Sequence, residues 1–191
     1  MKVKKIGILG GTFNPPHIGH LIVANEVQHA LGLDEVRFMP TALPPHKSAP
    51  GDATAEQRLC MVELAVADYD KFAGSAFEVT RGGISYTYDT MKQLTELEPE
   101  VDFHFIIGGD MIDMLPKWHR IEELMTLVTF VGVARPGTIG TTTFPITMVA
   151  IPQIELSSTL IRQRFAMNGT VQFLLPPKVE AFIREEGLYG C

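Results

Sequence analysis

Two histidines three positions apart, His17 and His20, close the stretch GGTFNPPHIGH at residues 10–20, behind a pair of glycines and a pair of prolines. Gly10 and Gly11 allow close approach of a bound group to backbone amides, while Pro15 and Pro16 preset the chain for a helix starting near His17 or Ile18. A strand end that turns straight into a helix N-terminus makes a phosphate-sized hollow. The stretch is not a Walker loop, having no Lys followed by Ser or Thr, and it lacks the spacing of a dinucleotide turn. Spaced by about one helical turn, both imidazoles can reach the same side of the hollow. Three chemistries fit such a pair. The rings can be helix caps or core residues; they can be metal ligands completed by His46, His104 or His119, none at a recognisable ligand spacing; or they can donate hydrogen bonds to phosphate oxygens that gain charge during transfer.

A second constellation lies far along the chain, in ELSSTLIRQRF at residues 155–165. Ser157 or Ser158 can cap a helix there, and Arg162 follows Thr159 by three residues on the same face. Hydroxyls, amides and a guanidinium at a helix N-terminus suit a polyphosphate, although alone they describe equally well a capped helix with a surface arginine.

The elements that must position these residues alternate. Strand-like runs occur at 3–9, 35–40, 77–80, 102–107, 129–134 and 146–152. Helical patterns lie between most of them, at 18–31 with Gly32 as its stop and at 54–67 with Asp52 or Thr54 as its cap; further ones occupy 88–97 and 177–186. This alternation predicts an α/β fold with a mainly parallel twisted sheet flanked by helices, whose ligands bind beyond the carboxyl ends of the strands. Two Pro- and Gly-containing loops stand out, 41–54 and 135–144. The second is read as an ordinary connection, whereas His46 and Lys47 give the first positive character and its composition suits a lid.

With 191 residues, the chain is expected to form one domain over 1–191. Its net charge of −6 argues against a nucleic-acid groove, which needs clustered Lys and Arg. No apolar run approaches the ~20 residues of a membrane span and no signal peptide is recognisable. Only Cys60 and Cys191 are present, so neither a structural bridge nor a thiolate metal site is expected, and a reducing cytoplasmic setting fits.

GGTFNPPHIGHL together with SSTLIR resembles the nucleotidyltransferases of the HIGH superfamily. The segments MPTALPPHK, SYTYDT, FIIGGDM, LPKW, FVGVARPG and FLLPPKVEAFIREEGLYG extend the resemblance, nearly end to end, to the bacterial nicotinate-nucleotide adenylyltransferases. The resemblance implies a Rossmann-like fold and adenylyl transfer from ATP to nicotinate mononucleotide, releasing pyrophosphate and forming deamido-NAD. It implies that His17, His20 and Arg162 are catalytic. Gly10, Thr12, Phe13, Asp110, Ser157, Ser158 and Thr159 would complete the ATP site, and His46, Lys47, Thr87 and Trp118 the acceptor site. Magnesium would accompany ATP with no protein ligand, because it keeps much of its hydration shell.

Another phosphorylated acceptor, nicotinamide mononucleotide or phosphopantetheine, is the alternative within the superfamily. A nucleotide-binding regulator without turnover and a metal-dependent hydrolase are the alternatives outside it. A tRNA synthetase would need a KMSKS-like second motif and a longer body. The sequence leaves monomer and homo-oligomer both open.

Overall fold

The computed structural model describes residues 3–43, 52–134, 142–152 and 154–191. Six strands form one sheet: β1 (Lys4–Gly11), β2 (Glu35–Pro40), β3 (Phe72–Gly74), β4 (Val101–Gly108), β5 (Thr129–Ala134) and β6 (Ile146–Ala150). They lie in the order β3-β2-β1-β4-β5-β6. Every pairing is parallel. The order runs outward in both directions from β1, so the crevice where it reverses opens at the carboxyl ends of β1 and β4. GGTFNPPHIGH begins at that crevice.

Both sheet faces are covered, as a parallel sheet requires. One face packs against α1 (Ile18–Leu31), α2 (Ala55–Val66), α7 (Ser158–Ala166) and α8 (Pro177–Glu185). Val36, Phe38, Ile106 and Val131 from the strands meet Ala24, Val62, Ile161 and Ile183 in that core. The other face packs Ile6, Ile8, Phe103 and Phe130 against α4 (Thr87–Leu97) and α6 (Ile121–Leu127). Two short helices, α3 (Phe77–Arg81) and α5 (Gly109–Ile112), complete the connections. No helix of the described residues is long and apolar enough to cross a membrane.

Local chemistry explains the ends of these elements. Gly32 stops α1 at φ 59°, a left-handed conformation that any Cβ would disfavour. Thr54 starts α2, its hydroxyl accepting from the Gln57 amide while Gln57 returns the bond to Thr54 N–H. The run FEVT at 77–80, expected as a strand, is instead the helix α3, and the edge strand is β3 just before it. Four alternating residues fit one helical turn as well as a strand. Tertiary contacts decide: the helix packs Phe77 on the second core and buries Glu78, whose carboxylate accepts from the Thr90 hydroxyl at 2.7 Å.

Candidate active site

His17 is the N-cap of α1, in extended conformation at φ −144° and ψ 171°. Its own N–H donates to His20 Nδ1 at 3.1 Å. The bond fixes the tautomer of a neutral His20: Nδ1 accepts, so the proton sits on Nε2. The two rings stack with centroids 3.7 Å apart and planes 21° from parallel, and Phe13 meets His20 edge-on at 4.9 Å. Gly19 makes room for this arrangement. A Cβ there would lie 3.0 Å from His17 Nδ1, and one on Gly11 would lie 3.2 Å from the Phe13 ring. A side chain at either glycine would press on the site's own rings by a few tenths of an ångström.

Burial holds the His17 imidazole down at about 4. His20 is pushed well below its ordinary value, first by burial and then by the charge His17 would carry. Two stacked imidazoles cannot both be cationic in such surroundings, so near neutral pH the pair offers N–H donors without formal charge. His17 Nδ1 is buried and turned toward the first turn of α1, where the His17 and His20 side chains form a capping box.

The second motif meets the first directly. Ser157 caps α7, its hydroxyl accepting from Leu160 N–H at 3.2 Å. Ser158 Oγ donates to the Pro15 carbonyl at 2.8 Å, and Arg162 Nη1 donates to the Asn14 carbonyl at 2.8 Å. Arg162 Nη2 reaches Thr159 Oγ1 at 3.4 Å, and its Nε lies 3.9 Å from Asp52 Oδ1. Ser158 and one edge of Arg162 thus hold the first loop. The α1 N-terminus is less open than its sequence implied, because Ile18 N–H donates to the Leu174 carbonyl at 3.0 Å. Side chains rather than that amide are left to meet an anion.

Gly10 and Gly11 end β1, and Thr12 leads from it to buried Phe13, whose φ is 51°. Thr87 opens α4. Trp118 is half-buried, edge-on to Phe105 and Phe130 at 6.0 Å each. A ring contact of 4.7 Å between Tyr86 and His119, their chain neighbours, brings the Thr87 and Trp118 segments together. Of the three histidines considered as a third metal ligand, His104 pairs with Asp102 on β4 and His119 with Tyr86. No group of three or more metal-ligating side chains exists among the described residues. His46 and Lys47 lie outside the described residues, as does the side chain of Asp110, whose backbone is in α5.

Arg58 is among the residues that escape the sequence reading. Arg58 is 2 % exposed and sits on the inner face of α2. It donates to the Thr12 carbonyl at 2.8 Å, the Thr41 carbonyl at 2.7 Å and the Ala42 carbonyl at 3.0 Å. It joins the loop after β1 to the loop after β2. The available signal was its place on the apolar stripe Arg58, Met61, Val62, Ala65, where an arginine needs buried acceptors.

Two outcomes follow. Replacing Arg58 by Met strands three carbonyls, and chemical denaturation will show a loss of about 3 kcal/mol or more; a loss within measurement error would contradict the bracing role. The folded-state pKa of His17 is depressed, so the unfolded chain binds more protons between pH 6.5 and about 4. Stability is complete above that window and falls by up to about 3 kcal/mol through it as pH drops. His17→Asn will decline less steeply over the same range, and parallel declines would refute the buried neutral state.

Comparison with known proteins identifies the family and the fold. A family model described as cytidylyltransferase-like matches residues 8–164. A Bacillus cereus protein named as a probable nicotinate-nucleotide adenylyltransferase is 54% identical over 187 residues, covering 98% of this chain and 99% of its own. A Bacillus anthracis protein of the same name matches at the same identity and coverage. Among solved structures, the Plasmodium falciparum nicotinic acid mononucleotide adenylyltransferase complexed with NaAD shares the fold at a TM-score of 0.81 and 21% identity over 97% of each chain. The same enzyme complexed with APC gives 0.80 at 20% identity, again over 97% of each. The chain belongs to the cytidylyltransferase-like nucleotidyltransferases, among the nicotinate-nucleotide adenylyltransferases.

Proposed function

We propose that this chain transfers the adenylyl group of ATP to nicotinate mononucleotide, giving nicotinate adenine dinucleotide and pyrophosphate. The observation that carries the reading is the junction of the two phosphate motifs, through Arg162 to Asn14 and Ser158 to Pro15, beside the stacked His17 and His20. A phosphate oxygen of the acceptor attacks the α-phosphorus of ATP. The bond from that phosphorus to the bridging oxygen breaks as the new one forms, and pyrophosphate leaves with the electron pair. A phosphomonoester has a second pKa of ~6, so the nucleophile is already ionised and no general base is required. The work left to the protein is positioning and the stabilisation of charge on the transferring and leaving groups.

His20 Nε2–H donates to the α-phosphate and His17 to the neighbouring phosphates. Neutral donors suit this step because they strengthen as oxygen charge grows, without clamping the product in place. Gly10, Thr12 and Phe13 line the cleft by their backbone. Thr159 and the Nη2 of Arg162 beside it take the triphosphate tail, with Ser157 and Ser158 shaping its helix end, and Asp110 meets the adenosine ribose. On the acceptor side, Trp118 stacks on the pyridine ring and Thr87 donates to its carboxylate, while His46 and Lys47 add positive field near the shared phosphates. The aromatic setting of Trp118 against Phe105 and Phe130 favours a flat heterocycle over phosphopantetheine.

A divalent cation fits this chemistry, and the donor set of imidazoles, hydroxyls and guanidinium fits one carried by phosphate oxygens and water rather than by a protein cage. Magnesium is the proposed ion, held by ATP; it would neutralise charge on the polyphosphate. Residues 1–191 are proposed to work as one domain in the cytoplasm, without nucleic acid or membrane as partner.

Initial rates of pyrophosphate release, measured with ATP and magnesium, will be higher with nicotinate than with nicotinamide mononucleotide. His20→Ala will lower kcat by about 100-fold or more with the fold retained. Equal rates on acid and amide would defeat the acceptor pocket, and full activity of His20→Ala would defeat the mechanism.

A further inference from the structure

Tyr189 lies in the last turn of the described chain, Leu188–Gly190, yet its hydroxyl donates to Asn14 Oδ1 at 2.6 Å. Both residues are buried, at 7 % and 8 % exposure. Tyr189 holds this place at φ 61° and ψ 19°, left-handed backbone that costs a non-glycine residue free energy and persists only where surrounding contacts enforce it. Its ring is packed at 6.2 Å from Phe165 of α7. Asn14 is also the residue whose carbonyl accepts from Arg162, and it stands between Phe13, itself at φ 51°, and the prolines leading to His17. One residue therefore receives the last turn at its side-chain amide oxygen and α7 at its main-chain carbonyl.

We propose that Tyr189 is a positioning residue for the ATP half of the site: acting through Asn14, it sets the course of the Phe13–His17 segment and so the place of the two imidazoles. This rests on the adenylyltransferase reading. The hydroxyl touches no substrate, and burial raises its pKa well above the ordinary tyrosine value, so it remains a donor throughout the working pH range. The acceptor half, at Thr87 and Trp118, belongs to the opposite face of the sheet and is not reached by this bond. A change at Tyr189 is thus expected on ATP and not on the acceptor.

The test uses Tyr189→Phe, Asn14→Ala and the double variant, with a non-hydrolysable ATP analogue titrated by calorimetry and KM measured for each substrate. Tyr189→Phe removes one oxygen and leaves Asn14 Oδ1 buried and unpaired. It is expected to weaken the analogue and raise KM for ATP by about tenfold, with KM for the mononucleotide unchanged. Asn14→Ala is expected to do the same, and adding Tyr189→Phe to it to change affinity by less than about twofold. The double variant strands no acceptor, so its comparison with Asn14→Ala reads the hydroxyl even where Tyr189→Phe alone does not fold. Unchanged ATP affinity in Tyr189→Phe or Asn14→Ala, or a further loss when the two are combined, would overturn the proposal. Absence of pyrophosphate release by the unaltered chain would instead refute the adenylyltransferase reading, leaving the contrast in analogue affinity as the measure of Tyr189.

Discussion

The carbonyls of Asn14 and Pro15 sit between a strand and a helix, where neither element supplies a hydrogen-bond partner, and the residues that carry them are buried. Buried backbone oxygens must be paired. Here the donors come from Arg162 and Ser158, more than 140 positions away. This requirement ties the carboxyl end of the central strand to α7, and it explains why the two motifs lie side by side after so long an intervening chain. Arg58 meets the same need one step earlier, at Thr12, and extends the tie to the loop after β2. A loop braced from two helices can hold rings at fixed positions without being part of any regular element.

Electrostatics then determines what the braced loop can do. The chain is acidic overall, with a net charge of −6, yet both substrates are anions. In the proposed mechanism they are met by uncharged imidazoles, with guanidinium groups bracing the loop beneath. Burial keeps His17 and His20 neutral, and the 3.7 Å stack disfavours a second proton once one is bound. Donors preorganised in this way need little rearrangement as charge develops on phosphate oxygens. A Walker loop achieves a related end with a lysine; in the proposed mechanism the directional bonds come from the imidazoles.

Much of the architecture was legible because its signals are local. The span of α1 and the stop at Gly32, the strand at 35–40 and the Thr54 cap all match the periodicity and end chemistry of the sequence. Where the signal was short, tertiary contacts prevailed, as in α3, where four alternating residues wound into a helix over Glu78 and Thr90. The histidine pair was legible from spacing, but its neutrality depends on burial that spacing does not reveal. Arg58, Asn14 and Tyr189 were missed for one shared reason: each acts through a bond to a residue distant in sequence. Ser158 and Arg162 were anticipated as anion ligands, and their attachment to the first loop is visible only in three dimensions.

The central claim is that a braced pair of neutral imidazoles meets the phosphates of ATP, and nuclear magnetic resonance of the two histidine side chains reads it directly. In the free protein the account predicts neutral rings at pH 6, with the His20 proton on Nε2. Addition of a non-hydrolysable ATP analogue should then shift the ring nitrogens of both residues together with the α-phosphorus signal. Protonated rings at pH 6 in the free protein, or ring signals unmoved by saturating nucleotide, would contradict the account.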